Sequence, residues 1–351
     1  MKRFITLILA LITVLACTGC DKWENPELLE NQVLVVLPEQ KDENKDVVVA
    51  NPLTGEPLAN PETVDNRPVA VMLNNIHYAM PHHGVSNADI IYEYNVEGGI
   101  TRMIGFFQDV SQVGTIGSVR SARPYYIETV MGMEAIYVHA GGSQEAYQMI
   151  YRLDMDDIDE ANYQCFWRDQ ERLKTRDWEH TLMTSGSRLT EYFEAKKWQM
   201  KHSKDFSYPF TYVENGTPYS DTVAEHVSVK FSNYKTGTFD YDPATGLYMI
   251  GQYDDIYIDG NTGKQVGTTN LFILRTSVVN SGDSKGHMNI DITGSGKGLY
   301  ICGGKATEIK WSKKTMNDPF TYTLADGTPF SLGIGKSYVC VVDHDAKVKV
   351  S

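Results

Sequence analysis

The chain has 351 residues, a length typical of about two folded domains. Its formal net charge of −13 excludes the basic surface that nucleic-acid binding requires, so we predict no nucleic-acid partner. With 42% hydrophobic and 11% aromatic residues, it has enough apolar side chains to fill substantial cores.

The N-terminus has the pattern of a lipoprotein export signal. Lys2 and Arg3 precede an apolar run over residues 4–16, and this run ends at Cys17. A basic start, a short apolar stretch and small residues are typical of a secretory signal. The run is shorter than the ~20 apolar residues that span a bilayer. We therefore predict a signal peptide over residues 1–16 and lipidation of Cys17 with a diacylglycerol, with Cys20 as the alternative. The membrane is then a partner through the lipid anchor, on its extracytoplasmic face.

Residues 17–64 are predicted to be the lipidated N-terminus followed by a flexible acidic tether. The stretch is rich in Glu, Asp, Asn and Pro and contains a short apolar run, Val33–Leu37. Such a composition buries too little apolar surface to offset the entropy lost on ordering.

Residues 65–205 are predicted to form a mixed α/β sheet domain with helices. Continuous apolar runs indicate buried strands, and stretches with helical spacing of apolar residues alternate with them. The predicted strands cover residues 68–73, 90–94, 102–107 and 135–140. The predicted helices cover residues 121–133, 144–153 and 187–197.

Residues 206–351 are predicted to form a predominantly β C-terminal domain. Helical periodicity disappears here, and short apolar or alternating runs are separated by turn residues. The predicted strands cover residues 227–231, 253–258, 271–274, 298–302, 307–311 and 338–342. The fold class is therefore α+β.

Three cysteines lie beyond the signal region: Cys165, Cys302 and Cys340. An odd number does not suit a disulfide framework. We expect three buried reduced thiols, because free cysteine often acts as a small apolar core residue. A Cys302–Cys340 bridge is the alternative.

Three arginines form the sharpest candidate site. Arg120 and Arg123 precede a predicted helix, where backbone N–H groups and the helix dipole attract anions. Arg102 begins a predicted strand and could join them. Guanidinium groups suit phosphate and carboxylate. The structural alternative is that these arginines pair with Glu93, Glu97 or Glu128.

His139 and Ser143 lie where a predicted strand runs through two glycines into a helix. Ligands of α/β sheets bind at the carboxyl ends of strands, so His139 is a candidate acid or base. Ser143 fits a helix N-cap better than a nucleophile, because the closing glycine of the nucleophile-elbow motif is missing.

Arg168, Asp169 and His180 complete the candidate ligand-binding residues. Together with His139 they could line one cleft. The alternative is a hydrogen-bonded network that fixes loops.

We predict no metal site and no cofactor. Residues 154–160 are acidic but lack the glycine and ligand spacing of a calcium loop, so a solvated segment is the favoured interpretation. His77, His82 and His83 lie in a predicted loop without the spacing of metal ligands.

Several motifs resemble the YerB-like family of bacterial lipoproteins. They occur in family order at residues 67–72, 88–93, 96–102, 116–125, 136–143, 166–169, 294–300 and 311–313. The resemblance implies a two-domain extracytoplasmic lipoprotein and no established reaction.

Two functions fit these features. The first is a non-enzymatic binding or scaffolding module for an anionic ligand, a cell-wall polymer or a cell-wall synthesis protein. The second is an enzyme that acts on an anionic envelope polymer, with His139 or His180 moving protons. The enzyme hypothesis requires the arginines and a base to converge on one site, whereas the binding hypothesis requires no base.

Overall fold

The computed structural model describes residues 48–214 and 218–351. Its largest element is a ten-stranded mixed sheet. The predicted signal peptide, both candidate lipidation cysteines and most of the predicted tether lie outside these residues. Within the described ranges, no helix is both long and apolar enough to cross a membrane.

The first half of the described chain contains helices and strands. Its helices are α1 (Pro124–Met131), α2 (Gln144–Leu153) and α3 (Gly186–Lys196). Its strands are β1 (Val69–Asn75), β2 (Ile90–Asn95), β3 (Thr101–Phe107), β4 (Thr115–Gly117), β5 (Ile136–Val138), β6 (Asp157–Ile158), β7 (Trp167–Arg168) and β8 (Leu182–Ser185).

The regular structure of the second half consists of strands. In chain order they are β9 (Tyr212–Val213), β10 (His226–Lys230), β11 (Thr236–Asp242), β12 (Leu247–Gln252), β13 (Asp255–Ile256), β14 (Gly267–Thr268), β15 (Asn270–Thr276), β16 (Val278–Asn280), β17 (Met288–Ile290), β18 (Gly294–Cys302), β19 (Lys305–Lys313), β20 (Thr321–Leu324), β21 (Leu332–Gly333), β22 (Ser337–Asp343) and β23 (Val348–Val350).

The ten strands lie in the order β20-β19-β18-β15-β22-β2-β3-β1-β5-β6. At one end of this order, β1, β5 and β6 run parallel, so their carboxyl ends meet at the same edge. A second sheet has the order β13-β12-β11-β10-β23, with β14 added beside β12. A three-stranded sheet, β4-β8-β7, flanks the first.

Each face of the large sheet has its own core. Along β1, Val69, Val71 and Leu73 pack on the side of the second sheet and α3. Ala70 and Met72 pack on the opposite side, with α1 and α2. Strands buried on both faces read as continuous apolar runs, which explains why β1 was recognisable in the sequence.

The predicted fold class is confirmed: the three helices and a mixed sheet belong to the first half, and the second half is mostly strands. The helix predicted at 144–153 has the observed bounds. The helix predicted at 121–133 begins later, at Pro124, because proline suits the first helical turn and Arg123 remains extended. The strand predicted at 253–258 is present only as β13 (Asp255–Ile256), since Tyr253 and Asp254 have positive φ angles and form the turn between β12 and β13.

The predicted tether extends too far toward the C-terminus. Leu53 is 0% exposed and Asn51 donates to Asp89 (2.9 Å), so the chain is packed well before residue 64. Prolines and polar residues interrupt the apolar residues of 48–64, so the sequence has no regular strand or helix pattern here, and one buried leucine is too weak a signal to reveal the contact.

The boundary that we predicted between residues 205 and 206 does not interrupt the large sheet. β22 lies beside β2 in parallel, so the five strands of the second half and the five strands of the first half join at the centre of one continuous sheet. The apolar run Tyr338–Val342 is buried on both faces, which suits such a central position.

The three cysteines of the folded part are buried free thiols, as expected. Burial raises the pKa of the Cys165 thiol to about 11, so this group stays protonated and unreactive at neutral pH.

Candidate anion site

The site lies at the edge where the parallel strands β1 and β5 end. Residues 118–122 pass between these two ends and are hydrogen-bonded to both. Arg120 N donates to Met72 O (3.1 Å), and Ala140 N donates to Arg120 O (2.9 Å). The backbone of Arg120 is therefore fixed at the carboxyl edge of the sheet, the position at which α/β sheets bind ligands.

Arg102 and Arg123 both form ion pairs with one carboxylate, that of Glu97. Arg102 Nη2 donates to Glu97 Oε1 (2.6 Å), Arg123 Nη2 donates to the same oxygen, and Arg123 Nε donates to Glu97 Oε2 (3.3 Å). Arg123 also donates to Ala122 O (2.7 Å). Both arginines are buried. The structural alternative is confirmed for these two residues.

The pKa of Glu97 reflects this arrangement. Burial alone raises the pKa of a carboxyl group, but the charges of Arg102 and Arg123 lower it to about 2. Burial, together with the neighbouring charge of Arg123, also lowers the pKa of Arg102 to about 10. Glu97 and Arg102 therefore remain charged at neutral pH, and their ion pair is part of the structural framework around the site.

His139 and Ser143 also have structural partners. His139 is fully buried, with Nδ1 2.9 Å from Gly141 O and Nε2 3.1 Å from Asp157 Oδ2. Ser143 Oγ accepts from Ala146 N (3.1 Å), which confirms the helix N-cap. Both ring nitrogens of His139 are therefore engaged, and the hydroxyl oxygen of Ser143 serves the helix cap.

Asp169 fixes the loop that follows it. Its Oδ1 accepts from the backbone N–H groups of Glu171 (2.9 Å) and Arg172 (3.0 Å). This carboxylate thus stabilises a turn, in agreement with the network alternative.

Arg120, Arg168 and His180 remain, and they share one electrostatic environment. Burial lowers the pKa of Arg168, and the charge of Arg120 lowers it further. Burial also lowers the pKa of His180, and Arg120 contributes there too. The same arginine therefore lies within short electrostatic range of both side chains.

Arg168 has several partners, whereas Arg120 and His180 have few. Arg168 Nη1 donates to Trp178 O (2.8 Å), Arg168 Nη2 donates to Glu160 Oε2 (2.9 Å), and the guanidinium stacks 4.3 Å from the ring centre of Trp178. His180 Nδ1 lies 2.8 Å from Asn74 Nδ2. The Nε of Arg120 is buried and has no hydrogen-bond partner among the described residues.

Glu179 lies between two of the candidate residues. Its Oε1 is 3.4 Å from Arg120 Nη2 and 3.6 Å from His180 Nε2. Its side chain is 55% exposed. A carboxylate oxygen of the chain itself thus occupies the position at which an arginine and a histidine meet.

The acidic segment 154–160 was misjudged as solvated. Asp157 contacts His139, and Asp159 accepts from Gly141 N (2.8 Å) and Tyr147 Oη (2.6 Å). Glu160 is the partner of Arg168. The sequence did not reveal this role because it depends on β6, which pairs in parallel with β5 and brings these carboxylates to the same edge of the sheet.

A second polar cluster lies on the opposite side of β1 and was also missed. Lys235 is fully buried, with its Nζ 3.3 Å from Glu93 Oε1. Glu93 also accepts from Asn75 (2.8 Å) and Tyr338 (2.7 Å). Nothing in the sequence around Lys235 marks it as buried, since it lies among turn residues.

The described residues contain no group of three or more His, Cys, Asp or Glu side chains placed to hold a metal ion. Of the loop histidines, His82 is buried and its Nδ1 lies 2.6 Å from Tyr257 Oη. Burial lowers the pKa of His82 to about 3.

Comparisons with known proteins agree with this fold. Residues 53–199 and 227–339 match the N-terminal and C-terminal domains of the family described as "Protein of unknown function (DUF3048)". A Bacillus subtilis (strain 168) protein named "Putative lipoprotein YerB" is 30% identical over 322 residues, 89% of this chain and 93% of the relative. The crystal structure of the YerB protein from Bacillus subtilis has a TM-score of 0.73 and 28% identity, and the match covers 86% of this chain and 99% of that one. The chain belongs to the YerB-like, DUF3048 family.

Proposed function

We propose that the protein is a membrane-anchored extracytoplasmic lipoprotein that binds an anionic ligand at Arg120, Arg168 and His180. The ligand is a cell-wall polymer or an acidic surface of a cell-wall synthesis protein. The anchor rests on the export signal ending at Cys17, with Cys20 as the alternative, and on the name of the Bacillus subtilis relative.

One observation carries the proposal: Glu179 Oε1 lies against both Arg120 Nη2 and His180 Nε2, at 3.4 and 3.6 Å. An ion pair with such an exposed partner contributes only about 0–1 kcal/mol. A ligand oxygen can therefore replace this carboxylate at low cost. A phosphate group would also be attracted by the charge of Arg168.

The neighbouring arginines support the proposal by contrast. Arg102 and Arg123 are buried and held by Glu97, so they position the loop that carries Arg120. In this proposal Arg120 and Arg168 contact the ligand, and Arg102 and Arg123 give structural support.

The alternative is an enzyme that acts on an anionic envelope polymer. Only His180 retains a nitrogen, Nε2, that faces the arginine cluster, because both nitrogens of His139 are engaged. Burial lowers the pKa of His180, and its Nδ1 accepts from Asn74 Nδ2, so the neutral ring carries its proton on Nε2 and could act there as a proton donor. An enzyme requires His180 for turnover, whereas a binding module retains most of its affinity in His180→Gln.

Thermal denaturation of the full-length protein with glycerol phosphate oligomers tests the proposal. We expect the oligomer to raise the melting temperature of the wild type, because binding to the folded state stabilises it. Arg120→Gln should lose most of this shift. An equal shift in Arg120→Gln and the wild type would contradict the assignment.

Glu179→Gln is a matched variant that should change the ligand-induced shift in melting temperature in the opposite direction. It removes the internal carboxylate that competes with the ligand, so the shift should increase. A smaller shift in Glu179→Gln would mean that Glu179 helps to bind the ligand, and would contradict the role that we give it.

A further inference from the structure

A second cleft has a volume of about 440 Å³, and none of Arg120, Arg168 and His180 lines it. One wall is the segment His77–Pro81, which follows β1, together with Arg176. The other wall is formed by the end of β12 and by β13. Its rim is apolar and open to solvent, since Tyr78 is 69% exposed and Ile256 is 58% exposed.

Gln252 lines this cleft and is the unusual residue in it. Its side chain is 2% exposed, yet neither Oε1 nor Nε2 has a hydrogen-bond partner among the described residues. Most buried polar side-chain atoms are hydrogen-bonded, and an unsatisfied one costs about 1–3 kcal/mol. Gln252 therefore has an unused donor and an unused acceptor on one amide at the wall of the cleft.

The polar character continues behind Gln252. Gly237 is its partner on β11, and Lys235 Nζ lies 3.7 Å from where a Cβ of Gly237 would be. Lys235 Nζ forms a buried ion pair with Glu93 Oε1 (3.3 Å), and Asn75 Oδ1 is buried without a hydrogen-bond partner among the described residues. The amide of Gln252 therefore forms the cleft side of a polar strip and is not an isolated defect in an apolar core.

The arrangement of charges disfavours a strongly charged ligand. The guanidinium of Arg176 is already used by the carbonyl groups of Tyr78 (3.1 Å) and Met80 (2.6 Å). Asp255 lies on the opposite wall and carries a negative charge. An uncharged ligand with hydrogen-bonding and apolar parts matches these walls best.

The geometry of the primary amide of Gln252 restricts the class of ligand further. Gln252 presents one donor and one acceptor side by side. An extended peptide residue also presents its N–H and C=O toward the same side, as in the hydrogen-bonded pairs of antiparallel sheets. A trans acetamido group points its N–H and C=O in opposite directions and cannot make both bonds.

We propose that this cleft binds an extended, uncharged peptide segment with small apolar side chains, and that Gln252 pairs with its main-chain N–H and C=O. β13 is the terminal strand in the order of its sheet, so its edge lies beside the bound segment. Peptide binding beside a sheet edge is a recurring mode of recognition. The site is separate from the arginine cluster and does not depend on its function.

Fluorescence anisotropy tests the proposal with the full-length protein and the peptide acetyl-Ala-Val-Ala-Val-Ala-Lys(fluorescein)-amide. Gln252→Met has similar volume but no amide, and we expect it to bind roughly tenfold more weakly or worse, the value of two neutral hydrogen bonds. The same peptide with N-methylated valines should lose affinity similarly. Arg120→Gln should bind the peptide like the wild type.

Gln265→Met is the matched control, because Gln265 Nε2 already donates to Ile250 O (2.9 Å) on the same sheet. It should leave peptide affinity unchanged. The proposal is overturned if the wild type does not bind the peptide, or if Gln252→Met binds it equally well. Tighter binding of an N-acetylglucosamine tetramer at Gln252 would replace the peptide by a glycan and also overturn it.

Discussion

The strongest energetic prediction concerns Glu97, the carboxylate shared by Arg102 and Arg123. Glu97→Gln removes the charge and leaves two buried guanidinium groups without their anion. A folded-state pKa of about 2, against the ordinary value of 4.5, corresponds to roughly 3 kcal/mol of stabilisation by the ionised form. Breaking a buried ion pair costs a similar 3–5 kcal/mol or so. We therefore expect Glu97→Gln to lower the free energy of unfolding by about 3 kcal/mol at pH 7.

Urea denaturation as a function of pH gives a second check on the same residue. The pKa of Glu97 is lowered on folding, so its stabilisation is fully present above about pH 4.5 and is lost as the pH falls toward 2. The deficit of Glu97→Gln relative to the wild type should shrink over this window, because the wild-type carboxyl group becomes neutral too.

Glu128→Gln provides the matched control on α1. Burial raises the pKa of Glu128, so its charged form is disfavoured on folding and the neutral substitute should be as stable as the wild type at pH 7, or more stable. The reasoning about Glu97 is refuted if Glu97→Gln unfolds within about 0.5 kcal/mol of the wild type, the scatter of ordinary surface substitutions. A deficit that stays constant down to pH 3 would also refute it.

The remaining predictions concern a cap, two histidines and the cleft. Ser143→Ala should lower stability in urea by about 1 kcal/mol while Ser143→Asp should not, and equal losses would exclude the N-cap role. In NMR titrations, His82 should remain neutral down to about pH 4, since burial lowers its pKa to about 3, and His180 should titrate below 6.5; a midpoint at or above 6.5 for either would contradict the role of burial. Gln252→Met should match or exceed wild-type stability, because it removes two unsatisfied polar atoms; a loss above about 1 kcal/mol would show that the amide has partners in the folded state.

The fold was largely predictable because its central strands are apolar along their length. β1 and β22 are buried on both faces, and continuous apolar runs identify such strands without an alignment. Helix α2 was equally clear from Ser143 and the apolar spacing that follows it. The position of β22 beside β2 was not predictable, since pairing between strands so distant in sequence depends on the whole topology.

The sequence predicted which residues lie near the candidate site but not the role of each residue. The sequence brought Arg102, Arg120 and Arg123 together, yet only the three-dimensional arrangement shows that Glu97 binds two of them and leaves the third. Gln252 gave no signal at all, because an unsatisfied buried amide is defined by its neighbours and not by its own sequence context.

The central claim is that Arg120 contacts the ligand whereas Arg102 supports the fold. Isothermal titration of a glycerol phosphate oligomer into the wild type, Arg120→Gln and Arg102→Gln tests it most directly. We expect Arg120→Gln to lower the affinity by roughly 10- to 150-fold, the value of a charge-assisted hydrogen bond, with little change in melting temperature. Arg102→Gln should lower the melting temperature and leave the affinity of the folded protein near that of the wild type. Unchanged affinity in Arg120→Gln, or a loss confined to Arg102→Gln, would contradict the account.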